Sequence, residues 1–222
     1  MKKTLLLVLV LLPFLGISQN VDFVQWNGST DLVPTVLNNY VEASNVTGAG
    51  FSNGNPTPTY DGIEGTNWSS SSTIDVNRYF QITLNPILNG RILLNEIQFT
   101  YKGNASSYEV RYSKQANFSS PVTLTTVTNA ATNNTPTSGN LSGLNIAVNA
   151  GEKIYIRFYA YNGTTWKLMN NNLLKLRGSF VQNPSPMNGT YIIGSAAGAS
   201  FATLTSAVRA LNSVGVSGAV NL

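Results

Sequence analysis

Residues 153–161 (KIYIRFYAY) put Ile154, Ile156, Phe158 and Ala160 on one parity and Tyr155, Arg157, Tyr159 and Tyr161 on the other. A period of two sustained over this length fits a half-buried β-strand and does not fit a helix. The pattern recurs along the chain. In 79–84 (YFQITL), Phe80, Ile82 and Leu84 oppose Tyr79, Gln81 and Thr83. In 91–101, Leu93, Asn95, Ile97, Phe99 and Tyr101 share a parity, and in 108–112 Tyr108, Val110 and Tyr112 oppose Glu109 and Arg111. Segments 121–127, 141–148, 165–169 and 173–181 read as further short strands. Turn residues separate them at Asn85-Pro86, Lys102-Gly103-Asn104, Asn149-Ala150-Gly151-Glu152 and Asn162-Gly163. This spacing predicts an all-β fold, an antiparallel two-sheet sandwich. Long connections at 44–78 and 128–140 favour a jelly-roll-like arrangement. Residues 31–44 fit either a short helix or an edge strand.

The chain has 222 residues and contains no Cys and no His. No disulfide can staple the fold, so a hydrophobic core must carry its stability. The commonest general base and the commonest transition-metal ligand are absent with His. Lys2 and Lys3, the apolar run Thr4 to Leu15, and the small residues Gly16 and Ser18 form a secretory signal peptide over 1–18, leaving Gln19 first. The run is short for a membrane span and Pro13 interrupts it, so no integral membrane segment is expected after cleavage. The expected location is extracellular or the outer cell surface. Without Lys2 and Lys3, the 13 basic and 9 acidic residues become 11 and 9, a net charge of +2. No Lys/Arg run exists, which argues against a nucleic-acid partner.

Beyond the sandwich, assigned to 19–181, Pro184 and Pro186 mark 182–188 as a Pro-rich linker. Residues 189–222 then change character. Thr190 to Ile193 reads as a strand. Ser200 to Val214 is an amphipathic helix with Phe201, Leu204, Val208 and Leu211 at helical spacing, Ser200 as cap and Gly215 as stop. Ala219 to Leu222 opens another strand. Such an ending is expected of a fragment, or of a last strand that pairs back onto the sandwich.

Two stretches carry a resemblance. Y-D-G-I at 60–63, Trp68, Ile74, N-R-Y-F-Q-I-T-L at 77–84 and Y-E-V-R-Y-S at 108–113 resemble the N-terminal β-sandwich of large surface proteins exported by the type IX route in gliding bacteria. Those modules are similar to jelly-roll carbohydrate-binding and discoidin-like domains. Their R-Y-S strand is usually followed by Asp-Gly-Phe, whereas Lys114-Gln115-Ala116-Asn117-Phe118 stands here without the acidic residue. The second stretch, G-T-Y-I-I-G from 189 and S-F-A-T-L-T-S-A-V-R-A-L-N from 200, looks like the N-terminal cap of a right-handed parallel β-helix of the pectate-lyase-like class. The resemblance implies that the amphipathic helix covers the first coil.

The candidate ligand groups are aromatic and cationic. Tyr60, Asp61 and Trp68 fall in one long loop, and indole or phenol rings stack on sugar faces. Arg111, Tyr155, Arg157 and Tyr159 share the outward parity of neighbouring strands, a platform for an oligosaccharide, and Trp166 is a further candidate ring. The alternative is that the tryptophans are core rings beneath loops and the platform is a face packed under a loop. No cofactor is expected. A structural calcium ion stays open, although Asp22, Asp31, Asp61, Glu64 and Asp75 are scattered and form no D-x-D-x-D loop. Glu96, Glu109 and Glu152 offer no recognisable glycosidase pair, and no serine triad exists without His. The expectation is a non-catalytic exported module for adhesion or polysaccharide binding. The alternatives are a structural spacer that caps a downstream β-helix, or the N-terminal part of a polysaccharide-degrading enzyme whose active site lies beyond residue 222. Ligand identity and oligomeric state stay open.

Overall fold

The computed structural model describes residues 20–27, 32–51, 56–60, 62–130, 135–169, 174–182, 185–194 and 199–222. The signal peptide expected at 1–18 lies outside the described residues. The strands are β1 (Val21–Trp26), β2 (Pro34–Val36), β3 (Val41–Ala43), β4 (Thr47–Ala49), β5 (Thr57–Thr59), β6 (Gly62–Thr66), β7 (Tyr79–Pro86) and β8 (Arg91–Gly103). They continue with β9 (Ser107–Ser113), β10 (Val122–Thr128), β11 (Thr137–Val148), β12 (Ile154–Tyr161), β13 (Thr165–Met169) and β14 (Leu174–Gln182). A C-terminal unit adds β15 (Met187–Thr190), helix α1 (Leu204–Val214) and β16 (Val216–Asn221).

Two antiparallel sheets form a sandwich. One runs β2-β1-β14-β8-β13-β6-β5 with β11 also on β8; the other runs β10-β9-β12-β7-β3 with β4 also on β7. From β7 onward the chain passes between the sheets at β7–β8, β8–β9, β10–β11, β11–β12 and β12–β13, while β9 and β10 pair within one sheet. Register places like with like: Ile154 opposes Leu84, Ile156 opposes Ile82, and Phe158 opposes both Phe80 and Val110. All of these are fully buried, and they meet Ile92, Leu94, Ile97, Phe99 and Leu176 of the other sheet.

The phase of β8 departs from the simple alternation. Leu94 and Ile97 are both fully buried, while Leu93 and Asn95 are only partly covered. Leu94 pairs with Gly178 and Glu96 with Arg177, which leaves Asn95 as the extra residue of a β-bulge. The bulge switches the inward parity half-way along the strand. A Cβ at Gly178 would run into the Leu93 carbonyl oxygen and the Phe23 ring, so the close approach there requires glycine. The expected loop 44–78 also holds β4, β5 and β6, and 31–44 resolves into two short strands, β2 and β3.

One end of the core is an aromatic cluster. The Trp166 ring centre lies 5.8 Å from Tyr101, 5.9 Å from Tyr108, 6.0 Å from Phe80 and 6.0 Å from Trp68. Trp68 Nε1 donates to the Trp166 carbonyl at 3.1 Å, and Trp26 Nε1 donates to the Ser44 carbonyl at 2.9 Å. Burial pushes the Tyr101 and Tyr108 hydroxyls above the ordinary tyrosine value of 10.0. A folded-state pKa above the unfolded one adds stability that is complete below the unfolded value and is lost as pH rises through the folded one. Thermal melts between pH 8 and about pH 11.5 are therefore expected to hold level to about pH 10 and fall beyond it; a melting temperature that rises across that upper interval contradicts the burial.

The C-terminal unit is a strand–helix–strand in which β15 and β16 pair in parallel with each other, and β16 does not return to the sandwich. Thr203, not Ser200, caps α1: Ser206 N donates to Thr203 Oγ1 at 3.1 Å and Thr203 N donates to Ser206 Oγ at 3.2 Å. The expected stripe points inward only in part: Phe201 is buried and Leu211 packs against the same cluster. Leu204 and Val208 are 59% and 41% exposed, while Ala207 and Ala210 are fully buried. These two small side chains lie on the buried side of the helix. They pack with Met187, Phe201 and Ile87, the last of which comes from the β7–β8 turn of the sandwich. Between β14 and β15, Ser185 is held by Asn89 of that same turn, through Asn89 Nδ2 to Ser185 Oγ at 2.9 Å and Ser185 N to Asn89 Oδ1 at 2.8 Å. Among the described residues no helix is long and apolar enough to cross a membrane.

A candidate ligand face on the six-stranded sheet

The outward parity of β7, β9 and β12 builds one continuous face. Arg157 stands directly opposite Arg111 on β9 and opposite Gln81 on β7, and Tyr159 opposes Glu109. Two guanidinium groups in register repel unless each is offset. Arg111 is held by Glu109, with Nε to Oε2 at 2.6 Å, and Glu109 Oε1 accepts from Thr126 Oγ1 at 2.8 Å. Arg157 Nε donates to Gln81 Oε1 at 2.7 Å. Its guanidinium carbon lies 3.6 Å from the centre of the Tyr79 ring and 4.0 Å from that of Phe118. The cation is thus clamped between two aromatic rings, an arrangement worth more as water is excluded.

Phe118 reaches this position because the 114–120 loop folds over the sheet. Phe118 N donates to the Gln115 carbonyl at 2.8 Å and Ser113 Oγ to the Ser119 carbonyl at 2.7 Å. Phe118 stands five residues beyond Ser113, the end of β9, and its sequence neighbours carry no signal that it covers Arg157. Tyr79 and Gln81 were legible, since both lie on the outward parity of β7.

The predicted groups separate into three sets. Arg111, Tyr155, Arg157 and Tyr159 do share one face. Arg111, Tyr155 and Arg157 are partly exposed, but Tyr159 is 2% exposed, with Arg111 5.6 Å above its ring. Burial pushes the Tyr159 hydroxyl up, against the opposing pull of Arg157. Its ring face is therefore covered and takes no part in stacking with a ligand. Trp68 and Trp166 are 2% and 1% exposed and belong to the core, which corrects their place among ligand-stacking candidates. They sit there because their neighbours Phe51, Phe80 and Tyr101 close over them. Tyr60 is 94% exposed at the tip of the β5–β6 hairpin, far from burial. Asp61 lies outside the described residues, as does Asp31.

Of the acidic residues considered for calcium, the described ones, Asp22, Glu64 and Asp75, are engaged elsewhere. Asp22 accepts from Arg177 Nε at 2.6 Å and Lys175 Nζ at 3.0 Å, Glu64 pairs with Lys167 at 3.3 Å, and Asp75 lies 3.9 Å from Arg78. These cations hold the Asp22 carboxyl below its usual range despite the opposing effect of burial. Among the described residues no three His, Cys, Asp or Glu side chains gather as a metal-ligand group.

No protein-family model matches the sequence, and no curated protein is detectably similar to it. Among solved structures, a family two carbohydrate esterase from Cellvibrio japonicus is 11% identical over 81% of this chain, with a TM-score of 0.33. This chain spans 40% of that esterase's length. The K2 cleaved adhesin domain of Lys-gingipain is 13% identical over 72% of this chain and 98% of its own, with a TM-score of 0.36. The N-terminal cellulose-binding domain of Cellulomonas fimi β-1,4-glucanase C is 11% identical over 62% and 88%, with a TM-score of 0.32. Overlaps of this size reflect loosely superposed strands, and no ligand follows from them.

Proposed function

We propose that this chain is an exported, non-catalytic module that binds polysaccharide through the outer face of the six-stranded sheet, in adhesion or substrate attachment. The observation that supports it is the clamped Arg157 beside the tethered Arg111. Both guanidinium groups are ordered before any ligand arrives, so binding forfeits little side-chain entropy. Planar, fixed N–H groups suit the in-plane lone pairs of sugar hydroxyls or carboxylates. Glu109 is ion-paired with Arg111 and stands opposite Thr126 and Tyr159, so among the described residues of this face no facing acid pair supports glycoside cleavage.

The test is affinity electrophoresis of the full chain through a panel of soluble polysaccharides. At least one is expected to retard it, and Arg157→Ala to weaken that retardation by about tenfold, roughly 1.4 kcal/mol. Arg157→Lys keeps the charge but loses the planar stack, and is expected to weaken binding nearly as much. A fully folded chain that no polysaccharide retards would remove the proposal.

A second reading has its own support. The parallel β15–β16 pair, and a core completed by Ile87 of the sandwich, suit a cap that rigidly presents a parallel β-helix. In that case deletion of the sandwich destabilises the β-helix without altering any ligand preference.

A further inference from the structure

The sandwich and the C-terminal unit enclose a groove that the sheet face does not use. On the sandwich side, β3, the end of β7 and the turn before β12 contribute Glu42, Asn85 and Lys153. Tyr191, Ser200 and Arg209 stand on the other side. One arm of the groove measures about 510 Å³ and the other about 280 Å³, and Glu42, Asn85 and Lys153 line both. That is the scale of small-molecule sites, roughly 300–1,000 Å³.

Glu42 sets the groove apart. Every other described Asp and Glu is in an ion pair with Lys or Arg. Glu42 has none among the described residues. Its Oε2 lies 3.5 Å from Asn85 Nδ2, the outer limit of a hydrogen bond, and its Oε1 is buried without a protein partner. In the same groove Arg209 donates a terminal N–H to the Val41 carbonyl at 3.4 Å, while its Nε is buried and equally unpartnered. Lys153 is exposed and outside any ion pair among the described residues. A buried charged acceptor without a donor is costly to the folded state. Glu42 and Arg209 both line the groove, where a ligand hydroxyl donates to a carboxylate and accepts from a guanidinium.

The rest of the lining points the same way. Tyr191 is half-buried, tilted against Phe201 at 5.9 Å, and forms part of the wider arm. An aromatic wall beside polar side chains suits a pyranose, whose C–H face is apolar and whose rim is hydroxylated. A cation is a poorer fit, because Lys153 and Arg209 oppose it. A strongly anionic ligand is a poorer fit, because Glu42 opposes it.

We infer that this groove is a second saccharide site, in which the Glu42 carboxylate accepts from sugar hydroxyls and Arg209, Lys153 and Asn85 donate to them. The inference rests on the reading of the chain as a glycan-binding module, but on residues separate from the sheet face. The test is hydrogen exchange of the full chain with cellohexaose, xylohexaose, mannohexaose or polygalacturonate, alongside Glu42→Gln and Lys153→Ala. One neutral hexaose is expected to protect amides at 41–43 and 191–194. Glu42→Gln is expected to weaken that binding at least tenfold and the exposed Lys153→Ala about threefold, with melting temperatures not lowered. Protection confined to 109–111 and 155–159, with Glu42→Gln at wild-type affinity, overturns the groove and leaves the sheet face standing. Protection in the groove alone supports the inference and removes the sheet face. Protection by none of the four probes overturns both.

Discussion

Replacing Trp166 with alanine is expected to lower the unfolding free energy by about 3–5 kcal/mol, the usual cost of deleting a large aromatic from a packed core. Trp166 is 1% exposed, and Trp68, Phe80, Tyr101, Tyr108 and Phe158 all touch its ring. Both sheets contribute to that set, so the cavity would open between them and could not be closed by one strand moving. With no cysteine anywhere in the chain, no covalent link limits the damage. Trp166→Phe makes the complementary point. The indole Nε1 is buried without a hydrogen-bond partner, so phenylalanine removes an unsatisfied donor together with part of the ring. Urea unfolding of the two variants is expected to show the alanine loss at about two or more times the phenylalanine loss. A Trp166→Ala loss under about 1 kcal/mol would mean that the cluster does not hold the sheets together.

Replacing Ile87 with aspartate is expected to release the C-terminal unit while the sandwich stays folded. Ile87 is 3% exposed, and its neighbours are Met187, Phe201, Ala207 and Ala210 rather than the residues between the sheets. An unpaired carboxylate there costs several kcal/mol, comparable to everything so small a cluster can contribute. Hydrogen exchange is the direct measurement: amides of 204–214 are expected to lose nearly all protection, and those of β12 to keep it. Simultaneous loss in β12 would show that the two clusters unfold as one. We propose on this basis that 189–222 is a distinct unit, although its core borrows a side chain from the sandwich. That borrowing was invisible in the sequence, where Ile87 reads only as a residue next to a turn.

Regularly alternating stretches were the legible ones. Phe80, Ile82, Leu84, Ile154, Ile156 and Phe158 face inward as their parity requires. In β8 the same reasoning put Leu93 and Asn95 on one parity with Ile97, Phe99 and Tyr101, because a bulge adds a residue without leaving a mark in the pattern. The three-residue strands at Thr47–Ala49 and Thr57–Thr59 are too short to show a period at all. In α1 the larger side chains drew attention, while close packing selected Ala207 and Ala210 for the buried side.

The candidate face divides in the same manner. Arg111, Tyr155, Arg157 and Tyr159 were expected on one side of one sheet, since alternation alone assigns side chains to faces. Which of them would remain open depended on the Phe118 loop and on the opposition of Arg157 to Arg111. The groove at Glu42 lies further still from local pattern: its walls come from residues as far apart as 42 and 209. Strand identity follows from the period of two, because burying one face of a pleat needs only neighbours in sequence. What covers a face, and which charge is left without a counter-ion, are settled by segments that meet only after the chain has folded.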